Sequence, residues 1–83
     1  MTTSVFEQVR TIASDIFSVP LARIQTDSTP QTIESWDSIQ HLNLALTLEE
    51  KFNVQLSPEE IEQMRSIGQI AKMIETKLQA ALN

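Results

Sequence analysis

Apolar residues return every three or four positions in three stretches of this chain, and the stretches differ in how far around a helix they spread. In the first, Val5, Val9, Ile12, Ala13 and Ile16 form a stripe with Phe6 and Phe17 at its edge, and Ser4 with Glu7 reads as a capping box. The spacing predicts a helix ending near Phe17, because Pro20 lacks an N–H and disfavours helix at Val19. The last stretch carries the cleanest stripe: Ile67, Ile70, Ala71, Ile74, Leu78, Ala81 and Leu82, opened by the capping pair Ser66 and Gln69. Gly68, the only glycine, falls in its first turn. Before it, Ser57, Pro58 and Glu60 start a short helix that turns Ile61 and Met64 inward and Glu59, Glu60 and Glu62 outward, ending near Arg65. No strand is predicted, and Val54 and Leu56 cross an extended connector.

The middle stretch, about Ser38 to Phe52, has too many apolar positions for a helix with one buried face. At about 100° per residue they span about 220°, whereas a core-facing stripe needs about 100°. Leu44, Ala45, Leu48 and Phe52 are expected in the core, and Ile39 and Leu46 on a surface left for another protein, with Leu42 fitting either side. Between the first two helices, Ser18 to Glu34 shows no sustained period, since Asp27, Ser28, Thr29 and Pro30 interrupt Leu21, Ile24 and Ile33. A connection this long is expected to pack across the helices, pinned by its apolar residues and by Trp36. The fold class is therefore all-α: a four-helix bundle in one domain, residues 1–83, with three long helices and a short third one.

Composition narrows the chemistry. With no cysteine, the chain forms no disulfide and offers no thiolate, so thiol chemistry has to be imported. No apolar run approaches the ~20 residues of a membrane helix. Met1 to Ser4 lacks the basic flank and apolar block of a signal peptide, so a soluble, monomeric, cytoplasmic protein is expected. The net charge is −5, and residues 34–62 hold seven acids against Lys51 alone. That field repels nucleic acid and anionic lipid and steers basic protein surfaces toward Ser38.

Asp37, Ser38 and His41 include the residue types of a hydrolytic triad, but neighbours on one exposed helix supply neither a buried, oriented base nor oxyanion donors. An enzyme is not expected, and a single histidine without cysteine leaves little for zinc. His41 is expected to be a helix-surface residue. Two readings of Ser38 remain open on spacing and charge. It caps a helix, as serines commonly do, or it presents its hydroxyl at the helix's positive end for another enzyme to modify.

Trp36-Asp37-Ser38-Ile39, then Leu42, Leu48-Glu49-Glu50, Phe52, Val54, Leu56-Ser57-Pro58-Glu59-Glu60 and Ile67, resemble the acyl carrier proteins, over the chain from its first helix to its end. The resemblance implies that Ser38 receives a 4′-phosphopantetheine arm from coenzyme A, installed by a phosphopantetheinyl transferase with Mg²⁺, and that the arm holds an acyl or aminoacyl group as a thioester. It implies a stand-alone, non-catalytic carrier served by a loading ligase and by downstream transferases or synthases with basic docking surfaces. By the same carry-over Asp37 helps position the transferase, and Ile39, Leu46, Glu49 and Glu50 contact partners. Trp36 is a loop anchor or a further partner contact. Gln40 and Asn43 stand where carriers of fatty acid synthesis usually have acids, Lys51 interrupts the acidic run, and Ser35 and Trp36 replace small residues. These departures point to a dedicated lipid, polyketide, peptide or related pathway. The competing class is a helical adaptor of the same fold that carries no cargo.

Overall fold

A computed structural model describes residues 4–82, with side chains described through Gln79. Its helices are α1 (Val5–Phe17), α2 (Ser38–Phe52), α3 (Pro58–Glu62) and α4 (Ile67–Leu82). α1 lies against both α2 and α4. The core joins Val9, Ala13 and Phe17 of α1, Leu44, Ala45 and Leu48 of α2, and Ile67, Ile70, Ala71 and Ile74 of α4. Each large side chain so buried stabilises the fold by about 1.5–3 kcal/mol. Phe17 was expected at the edge of its stripe and is 1 % exposed. It stands two helical turns from Val9 by way of Ala13, so those three define the buried line, and Ile12 and Ile16 flank it half-buried. Ala81 and Leu82, assigned to the last stripe, lie outside the residues whose side chains are described.

With one glycine in the chain, α1 and α2 stop on other residues: Ser18 and Asn53 take the left-handed conformation at φ 56° and 54°. The Ser14 hydroxyl donates to the Val19 carbonyl at 2.6 Å and secures the first of these turns. At the start of α1 only half of the expected box forms. Ser4 Oγ accepts from the Glu7 N–H, but the Glu7 carboxylate turns to Arg10. α3 has the complete box between Ser57 and Glu60, and it ends at Glu62, a turn earlier than expected, leaving Met64 buried just beyond it.

The long connection is packed, as its scattered apolar residues require. It includes one 3₁₀ turn, Leu21–Arg23, and buries Ile24, Ile33 and Trp36. Arg10 Nε donates to the Ile24 carbonyl at 2.7 Å, and Ser28 Oγ accepts from the Gln25 N–H. The loop also caps α4: the Ser28 and Thr26 carbonyls accept from the N–H groups of Ile67 and Gly68, two first-turn donors that have no partner within their own helix. Among the described residues no helix is long and apolar enough to cross a membrane.

Candidate functional site

The loop delivers the chain to α2 with its side chains sorted inward and outward. The Ser35 hydroxyl donates to the Phe17 carbonyl at 2.7 Å, and Trp36 turns into the core, stacked on Phe17 with ring centroids 5.0 Å apart. Asp37 and Ser38 are left outside. Asp37 is the N-cap, extended, with Oδ1 accepting the Gln40 N–H at 2.9 Å. Ser38 is therefore the first helical residue rather than the cap, and its exposed hydroxyl makes no hydrogen bond to any described residue.

The other serines sharpen that contrast. Of the eight in the chain, Ser4, Ser28, Ser57 and Ser66 have their oxygens on backbone N–H groups, and Ser14 and Ser35 donate to carbonyls. Ser18 sits at the C-terminal, negative end of α1. Ser38 alone joins an unbonded hydroxyl to a helix's positive end.

Beside Ser38 opens a groove of about 380 Å³ lined by Pro30, Trp36, His41, Leu42, Ile61 and Glu62. Leu42, which the sequence left undecided, is 54 % exposed and faces outward. Ile39 and Leu46 are 73 % and 59 % exposed, so the surplus apolar flank of α2 lies on the surface. Glu50 is exposed as well, whereas half-buried Glu49 accepts the Leu56 N–H at 2.9 Å and fastens the connector to α3. Glu60 is likewise engaged: Lys77 of α4, 2.7 Å away, holds its carboxyl below the usual carboxylate range, helped by the Ser57 N–H. The acidic field thus rests mainly on the exposed Glu34, Asp37, Glu50, Glu59 and Glu62.

Of the two readings of Trp36, the loop anchor is the one the structure carries: the ring is 3 % exposed and leaves little surface for a partner. One sequence expectation is corrected. His41, expected on the helix surface, is half-buried. Its Nδ1 accepts from Trp36 Nε1 at 2.9 Å, and its Nε2 lies 2.7 Å from the Ile61 carbonyl. The signal was available, since with Asp37 as N-cap, Trp36 and His41 occupy the two positions of a hydrophobic staple.

A family model described as the phosphopantetheine attachment site matches residues 7–74. The chain belongs to that family. Among solved structures, a holo acyl carrier protein from Geobacter metallireducens, determined in solution, is similar at a TM-score of 0.83. The match has 22 % sequence identity and covers 94 % of this chain and 90 % of that one, and it establishes the shared fold. A phosphopantetheine attachment protein carries 4′-phosphopantetheine covalently. The residues fit such a group, because the chain supplies an accessible, unbonded hydroxyl at a helix N-terminus, where a phosphate is favoured.

Proposed function

We propose that residues 1–83 form one non-catalytic carrier domain in which Ser38 bears the 4′-phosphopantetheine arm. The observation that supports this most is the Ser38 hydroxyl itself: exposed, free of hydrogen bonds to described residues, and set at the positive end of α2. In the transfer, Ser38 Oγ would form a phosphodiester with the pantetheine-bearing phosphate of coenzyme A as the pyrophosphate bond breaks, with adenosine 3′,5′-bisphosphate leaving and the serine proton passing to a base on the transferase. Asp37 stands beside the new ester. Its carboxylate keeps the Gln40 N–H capped while offering negative charge to the transferase's Mg²⁺ or basic residues.

The arm's terminal thiol supplies what a chain without cysteine lacks, a sulfur able to hold an acyl or aminoacyl group as a thioester. Partner enzymes meet Ile39 and Leu46 beside an acidic rim that includes Glu50, so docking is weak, transient and salt-sensitive. Glu49 contributes to that rim only through its partly exposed face. Leu48 and Met64 are sealed in the core, which leaves Leu42 and Ile61 as the apolar surface a cargo near Ser38 touches. Polar Gln40 and Asn43 on the recognition helix favour partners of a dedicated lipid, polyketide or peptide pathway over those of general fatty acid synthesis. A cytoplasmic, monomeric carrier suits this exchange among soluble enzymes.

Incubation with coenzyme A, Mg²⁺ and a broad-specificity transferase is expected to add the mass of one phosphopantetheinyl group, and Ser38→Ala to abolish the gain. No gain in the parent protein would leave a cargo-free helical adaptor as the better description.

A further inference from the structure

His41 has an environment that attachment at Ser38 does not explain. An indole nitrogen only donates and a carbonyl oxygen only accepts, so the bonds to Trp36 and Ile61 together require a neutral ring with its proton on Nε2. A second proton, on Nδ1, sets one N–H against another and breaks the bond to Trp36. We propose that His41 is a positioning residue for the groove beside Ser38: neutral, it ties the Ile61 wall to the Trp36 corner, and protonated, it releases that corner and lets the wall shift.

The wall is well suited to such control. α3 has five residues and buries none of them fully, so a few bonds decide where it sits. Among them are the His41 bond to the Ile61 carbonyl and the Lys77 pair with Glu60, while the Glu49 bond to the Leu56 N–H holds the connector that leads into the helix. The charged groups facing the ring across the groove are Asp37 at the N-cap of α2 and Glu62 of α3. The loop presents Pro30 and Trp36, α1 stands behind Trp36 with the Phe17 ring, and no described residue of α4 lines the groove.

The consequence for cargo rests on Ser38 as the attachment point. The positioning role does not, and it is read equally in the parent protein and in Ser38→Ala. An NMR pH titration of the full chain follows the His41 ring, the Trp36 indole N–H and the Ile61 methyl groups together. The expected result is the Nε2–H tautomer in the neutral form. On protonation, the indole N–H loses about five- to tenfold in exchange protection, the factor one ordinary hydrogen bond carries, with Ile61 shifting at the same midpoint. His41→Gln provides one acceptor and one donor without a titration, and is expected to keep the protection and lose the pH dependence. The proposal is overturned by an Nδ1–H tautomer, by a ring that titrates with Trp36 and Ile61 unmoved, by a ring that stays neutral until the protein unfolds, or by a pH response that persists in His41→Gln.

Discussion

Replacing Gly68 by alanine tests how tightly the long loop is laid on α4. The glycine does not have a positive φ, so its conformational freedom is not at issue. What matters is space: a Cβ would stand 2.5 Å from Thr26 Cγ2 and 3.0 Å from the Thr26 carbonyl oxygen. Threonine's methyl has only χ1 to turn, and the carbonyl is held by the 2.8 Å bond from the Gly68 N–H. Relief therefore means moving the loop. Overpacking of this kind costs about 1–3 kcal/mol, and weakening the Gly68–Thr26 and Ile67–Ser28 bonds adds up to about 1 kcal/mol each. Alanine's helix propensity returns at most about 1 kcal/mol. The net expectation is a loss of about 1–3 kcal/mol, and each kcal/mol lowers Tm by roughly 4–8 °C in a domain of this size. Urea unfolding followed by far-ultraviolet circular dichroism gives the value. Thr26→Ala removes the methyl but not the carbonyl, so in the double variant part of the loss should return as a coupling energy. A Gly68→Ala protein as stable as the parent, or one indifferent to Thr26→Ala, would refute the close approach.

Glu60→Gln keeps an acceptor for the Ser57 N–H but abolishes the titration. Because the folded-state pKa of Glu60 lies below its ordinary value of 4.5, its contribution is complete above that pH and is lost as pH falls through the lowered value. The variant's stability should therefore fall less steeply below about pH 4.5 than the parent's, and superimposable acid limbs would argue against the Lys77 pair. Leu48→Ala, in a fully buried position, should cost about 2–5 kcal/mol in the same urea measurement. Ile39→Ala and Leu46→Ala should leave stability within about 0.5 kcal/mol while raising the KM of the transferase for the carrier; a large stability loss with unchanged KM would place these side chains in the fold instead.

The helices were legible because α1, α2 and α4 each carry a periodic stripe, and α2 announced a second surface by carrying too many apolar positions. The start of α2 was legible to within a residue: the sequence opened the helix at about Ser38 and offered that serine as a cap, and the structure gives the cap to Asp37, one position earlier. Other features depended on contacts distant in sequence, which no local pattern records. Glu49 is half-committed because the chain returns at Leu56, and Trp36 is sealed because its ring meets Phe17 across the loop. Trp36 and His41 were separable only once the N-cap was fixed, since their roles follow from flanking it by one and four positions. Gly68 was placed in the first turn of the last helix by its position alone, although the crossing loop is what requires it.

The most direct test is to locate the arm. After modification with coenzyme A, Mg²⁺ and a transferase, fragmentation mass spectrometry of the tryptic peptide 24–51 distinguishes Ser28, Ser35 and Ser38. The phosphopantetheinyl group is expected on Ser38 and on no other residue. Its appearance on Ser28, on Ser35 or outside this peptide would contradict the account.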